Sequence, residues 1–134
     1  DTGTDPIVRA NRIHDGTSTG IYVSNGACPR IEENEIWGNA QSGLQISDTG
    51  TDPIVRANRI HDGTSVGIDV SNGACPRIEE NEIWGNAQDG LVVSGTGSNP
   101  VVRGNRVHDC EERGIFVSDG ACPRIEENEI WGNA

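Results

Sequence analysis

The sequence predicts an all-β chain wound into a right-handed parallel β-helix, and three observations carry that expectation. The apolar residues are β-branched: Ile and Val number 25 of 134 residues, against 2 Leu and 0 Met. That choice suits a pleated surface better than a helix. Six prolines, Pro6, Pro29, Pro53, Pro76, Pro100 and Pro123, recur at spacings of 23, 24, 23, 24 and 23, and Asn11, Asn34, Asn58, Asn81, Asn105 and Asn128 keep the same step. Between them, apolar and polar residues alternate over short runs bounded by turn formers. A unit of this length is one coil, and coils must stack because one alone cannot bury its apolar face. Leucine-rich repeats share the length, but two leucines, Leu44 and Leu91, cannot supply their scaffold.

Each coil reads as three short strands. The first, P-x-V/I-R/E-x-N, sends Val8, Ile31, Val55, Ile78, Val102 and Ile125 inward. The second, N-x-I, sends in Ile13, Ile36, Ile60, Ile83, Val107 and Ile130. The third, G-I-x-V-S, buries Ile21, Leu44, Ile68, Leu91 and Ile115, and its alternation turns Ile21 and Val23 in and Tyr22 out. The glycines that open the third strand, such as Gly20 and Gly67, permit a conformation or a close approach that a side chain would block. Six coils at about 4.8 Å each make a rod roughly 29 Å long.

The whole chain reads as one domain of three copies, 1–47, 48–94 and 95–134, the last stopping seven residues short. The first two copies align without a gap and differ at five positions: Thr19/Val66, Tyr22/Asp69, Ser42/Asp89, Gln45/Val92 and Ile46/Val93. With no Met, and both end coils open, the sequence is expected to be a piece of a longer rod.

Outward columns follow from the same register. The Asn column is expected to be a ladder of stacked amides that satisfies buried polar groups at a turn. Two charged columns alternate in sign: Arg9, Glu32, Arg56, Glu79, Arg103, Glu126, and Arg12, Glu35, Arg59, Glu82, Arg106, Glu129. Alternation avoids like charges over one another and penalises a slip by one coil. Committing Arg to these Glu would leave the acid excess on Glu33, Glu80, Glu127 and the Asp-bearing turns. A further column reads His14, Trp37, His61, Trp84, His108, Trp131. It has two readings: aromatic stacking that shields the neighbouring strand, or a flat platform for sugar rings with Asp62 and its equivalents Asp15 and Asp109 alongside.

Successive histidines lie two coils apart, too far to share one metal ion, so no metal site is expected. Cys28, Cys75 and Cys122 share a column at the same spacing, beyond disulfide reach, and Cys110 stands at another corner. Four free thiols are expected. The D-T-G-T-D-P turns at Asp1–Pro6 and Asp48–Pro53 offer two carboxylates each. Calcium could use them, but the third copy has Gly95 and Asn99 there, so turn chemistry is preferred and no cofactor is expected.

These phrases, NRIHDG…GIxVS and RIEENEIWGNAQxGL, resemble the parallel β-helix repeat family of carbohydrate-binding and sugar-hydrolase type. They are also similar to the β-helix region of an F-box ubiquitin-ligase substrate receptor and its bacterial relatives. The resemblance covers the whole chain and implies fold more than function, since the fold hosts lyases, hydrolases, epimerases, adhesins and protein-binding modules. In such lyases and hydrolases it implies clustered acids. Here Asp62, Asp69 and Asp89 form only a loose set, and a near-exact repeat offers no single catalytic constellation.

Net charge is −11, which repels nucleic acid. The apolar runs are too short for a membrane span. The expected function is a non-catalytic repeat scaffold that recognises glycan or protein on a lateral face, at an extracellular or cell-surface location. Its candidate contacts are the His/Trp column with Asp62 and Asp69. The alternatives are a carbohydrate-active enzyme, and a stalk unit that associates head to tail, Glu126 and Glu129 of one copy meeting Arg9 and Arg12 of the next.

Overall fold

A computed structural model describes residues 3–134, so Asp1 of the first D-T-G-T-D-P turn lies outside the described residues. Seventeen strands of three or four residues wind as a parallel β-solenoid, giving five complete coils and two strands of a sixth. The first sheet stacks Ile7–Arg9, Arg30–Glu32, Ile54–Arg56, Arg77–Glu79, Val101–Arg103 and Arg124–Glu126. The second stacks Arg12–His14, Glu35–Trp37, Arg59–His61, Glu82–Trp84, Arg106–His108 and Glu129–Trp131. The third has five strands, Ile21–Val23, Leu44–Ser47, Ile68–Ser71, Leu91–Ser94 and Ile115–Ser118. Every pairing is parallel and one coil apart, as in Val8↔Ile31, Ile13↔Ile36 and Ile21↔Leu44.

The three inward columns meet in one continuous core, where Ile31, Ile36, Leu44, Val55, Ile68, Ile78, Ile83 and Leu91 are fully buried. Val23, Ile46, Val70 and Val93 close it as a fourth column from the third sheet. The strand-opening glycines answer a close approach. A Cβ on Gly67 would lie 2.5 Å from the Gly90 carbonyl oxygen and 2.7 Å from Ile83 Cγ2. That is too close for any side chain.

Polar groups inside the corners are matched coil to coil, with Asn86 Nδ2 the buried exception among the described residues. Asn58 is buried; its backbone N–H and Nδ2 donate to Asn81 Oδ1 at 2.9 and 3.0 Å, and Nδ2 also donates to the Ile31 carbonyl at 2.8 Å. Its own Oδ1 accepts the Asn34 N–H and Nδ2, both at 3.0 Å. The ladder runs likewise from Asn11 through Asn128. Two further sets of corner groups work every second coil. Asn39, Asn86 and Asn133 accept the N–H of Gly16, Gly63 and Cys110. The buried hydroxyls of Thr51 and Ser98 accept the N–H of Gly26 and Gly73.

The D-T-G-T-D-P turns have turn chemistry. Asp5, Asp52 and Asn99 each accept the N–H of the cysteine one coil on, Cys28, Cys75 and Cys122, at 3.1 Å. Amide and carboxylate do this equally, which is why Asn99 can replace an acid. All four cysteines are free, and burial pushes the Cys110 thiol pKa up.

Candidate functional site

The charged columns hold the expected register, with Arg9 beside Glu32 and Arg59 beside Glu35. Their ion pairs require a correction, however. Arg9, Arg56 and Arg103 pair with the corner residues Glu33, Glu80 and Glu127 at 3.1, 3.3 and 3.2 Å. Glu32, Glu79 and Glu126 pair instead within their own strands, with Arg30, Arg77 and Arg124. The corner Glu residues sit at positive φ, and that turn brings their carboxylates to the Arg of the preceding coil. The Glu33 column is therefore neutralised and is not the seat of the acid excess. In the second column, Arg59 reaches Glu35 at 3.8 Å and Arg106 lies between Glu82 and Glu129 at 3.7 and 3.9 Å.

The His/Trp column is one continuous stack. Ring centroids alternate between 4.2 Å (His14–Trp37, His61–Trp84) and 5.8–5.9 Å (Trp37–His61, Trp84–His108), with planes within 9° of parallel. Arg12, Arg59 and Arg106 lie over the faces of Trp37, Trp84 and Trp131 at 5.2–5.3 Å. Ring faces therefore meet each other and guanidinium groups, leaving mainly ring edges toward solvent. Strands a single spacing apart force neighbouring rings face to face.

Carboxylates hold the imidazoles in this stack. His61 donates from Nδ1 to Asp62 at 2.8 Å and faces Glu35 from Nε2 at 3.1 Å; His108 does the same with Asp109 and Glu82 at 2.7 and 3.0 Å. Only a doubly protonated ring donates from both nitrogens. For His108, burial lowers the pKa, but the hydrogen bonds to Asp109 and Glu82 outweigh it and the net direction is up. Glu35 is held below its ordinary value, chiefly by the His61 hydrogen bond. His14 has Asp15 at 2.7 Å and is more exposed. The aspartates occupy left-handed corners, with φ of 56°, 49° and 54° at Asp15, Asp62 and Asp109. Above each sits a glycine: a Cβ on Gly38 would meet Asp15 Oδ1 at 2.5 Å, and Gly85 and Gly132 stand in the same relation to Asp62 and Asp109. Asp62 thus belongs to a structural corner, away from Asp69.

Asp69 faces outward from the middle of the third sheet, in register with Gln45 and Val92. That column reads Tyr22, Gln45, Asp69, Val92, Phe116. Tyr22 is 58% exposed. Asp89 belongs to the flanking corner, where it is buried and held by Arg113 through Nε at 2.8 Å, Nη2 at 3.1 Å and the backbone N–H at 2.9 Å. The same guanidinium lies 3.7 Å above the Phe116 ring. The loose acid set is thereby divided: Asp62 with His61, Asp89 with Arg113, and Asp69 by itself on the sheet. The Arg113–Asp89 clamp escaped sequence reading, although the joint departure of both positions from Thr19, Ser42 and Val66 signalled it.

This solenoid, with its asparagine ladder and stacked outer columns, defines a β-helix repeat protein. The chain belongs to the right-handed β-helix region family, which it matches over residues 1–134. A crystal structure of a point mutant of the periplasmic alginate epimerase AlgG is similar, with a TM-score of 0.80 and 25% identity. The match covers 85% of this chain and 27% of the epimerase. No curated protein matches the chain.

Proposed function

We propose that the chain is a non-catalytic β-helix module, working outside the cytoplasm, that binds polysaccharide along the outer face of the third sheet. The observation that carries this reading is where the copies differ. All five differences between the first and second copies fall in the third strand or the turn before it, while the other two faces repeat without change. The outward column there presents aromatic, amide, acid and aliphatic groups at one per strand, about 4.8 Å apart, a step comparable with one pyranose unit of an extended glycan. Aromatic rings beside hydrogen-bonding groups are the means by which sugars are held. The likeness to a polysaccharide-modifying epimerase and the periplasmic location of that protein favour the same reading.

Affinity electrophoresis against a panel of soluble polysaccharides is the test. Retardation by at least one of them, lost in Tyr22→Ala/Phe116→Ala and kept in Trp84→Ala, is expected. Loss in Trp84→Ala alone would move the site to the His/Trp stack. The epimerase likeness also favours a second reading, a carbohydrate-active enzyme. Release of unsaturated or reducing ends, or epimerised product, from polyuronate would establish it in place of the binding module.

A further inference from the structure

One position of the 47-residue repeat carries three different chemistries in otherwise similar copies: Tyr22, Asp69 and Phe116. In the third sheet these residues share one outward register column, with Gln45 and Val92 between them. Asp69 is therefore central, with an aromatic residue two strands away on each side, about 9.6 Å along the rod. That step is comparable with the disaccharide repeat of an extended β-1,4-linked chain.

The fold itself does not call for an acid here, since the same position is aromatic in both other copies. Burial works against it, raising the Asp69 pKa. A partly buried carboxylate is unfavourable unless a cation or donors accompany it. The Asp69 carboxylate has neither a hydrogen-bond donor nor an ion-pair partner among the described residues. Arg113, on the corner that flanks this face, is committed to Asp89 and Glu112 and stacked on Phe116. That stacking also shows that a ring of this column accepts a positive charge on its face. The chain's net charge of −11 draws cationic polymers in and holds polyuronates off.

We propose that Asp69, two strands from Tyr22, selects a polysaccharide of protonated amino sugars, the carboxylate pairing with a ligand ammonium while the Tyr22 ring, 58% exposed, holds a pyranose face. This rests on the polysaccharide reading above and adds the class of sugar. An extended cationic peptide has the charge but lacks the pyranose faces and the disaccharide step.

The test is calorimetric titration in mildly acidic buffer with four probes: a glucosamine hexamer, its N-acetylated counterpart, an alginate hexamer and hexalysine. The glucosamine hexamer is expected to bind at least about tenfold tighter than the other three, the size of one charge-assisted contact. Asp69→Asn and Asp69→Tyr, the latter installing the first copy's residue, are each expected to lose about that tenfold. Glu33→Gln removes the same charge from another face and is expected to change nothing. Equal binding of the acetylated or alginate hexamer, equal binding by Asp69→Asn, or equal loss in Glu33→Gln would overturn selection by Asp69 while leaving glycan binding intact. Tighter binding of hexalysine would overturn it in favour of a peptide. Failure of all three glycans would overturn the polysaccharide reading itself.

Discussion

Replacing Asn58 by Ala should be among the most costly single changes to the rod. The side chain makes four hydrogen bonds to the coils on either side: Nδ2 donates to Asn81 Oδ1 and to the Ile31 carbonyl, and Oδ1 accepts the Asn34 N–H and Nδ2. Truncation orphans the Asn34 N–H in a site where Asn34 is itself buried, at about 1–3 kcal/mol. Each remaining bond is worth about 1 kcal/mol net. Allowing for partial relaxation, the loss comes to about 3–5 kcal/mol, a large share of a small domain's stability. Urea unfolding followed by far-ultraviolet circular dichroism measures it, with Asn128→Ala as the comparison. Asn128 accepts from Asn105 at 2.8 and 3.0 Å but is half-buried in the last coil, where water replaces it, and should cost about 1 kcal/mol. Equal losses in the two variants, or a loss below about 1 kcal/mol for Asn58→Ala, would refute the ladder as the element that couples coils.

Three further outcomes follow. Gly67→Ala must push apart the Gly90 backbone and Ile83 and should prevent cooperative unfolding at all, whereas Gly50→Ala, in open space at φ +82°, should cost only about 1 kcal/mol in the same assay. Arg113→Ala removes the guanidinium from the buried Asp89 carboxylate, leaving it the backbone N–H of residue 113, and should lower the unfolding midpoint more than Arg103→Ala does at a pair exposed on both sides. The His108 pKa is raised in the folded state from its ordinary 6.5, so its stabilisation is full below that value and is lost as pH rises through the folded pKa. Glu35, lowered from 4.5, contributes above its ordinary value and loses that contribution as pH falls through the folded pKa. Unfolding midpoints taken across pH should decline on both sides, and His108→Gln should flatten the alkaline decline.

Much of the fold was legible because period and alternation are one-dimensional. The spacing of Pro6, Pro29 and Pro53 sets the coil, and once the coil is set, Val8, Ile31 and Val55 must stack. The partners of charged side chains were not legible in the same way. Register places Glu32 beside Arg9, but which carboxylate Arg9 reaches depends on the left-handed corner at Glu33, a matter of φ that spacing does not encode. Ring orientation is similar: the column of His and Trp is visible in the sequence, while the face-to-face stack that hides the ring faces comes from strand spacing and rotamer. Asn39, Asn86 and Thr51 went unread because they act only every second coil, opposite glycines whose N–H groups carry no side-chain signature. Asp69 stands at one of the five positions where the first two copies differ, but its isolation on the sheet depends on where Arg113 points.

Backbone amide shifts of the labelled chain, recorded while the tightest-binding polysaccharide is titrated in, test the placement of the ligand most directly. Perturbations concentrated in Ile21–Val23, Leu44–Ser47, Ile68–Ser71, Leu91–Ser94 and Ile115–Ser118 are the expected result. Perturbations centred on Glu35–Trp37 and Glu82–Trp84, or on the first sheet, would contradict binding on the third.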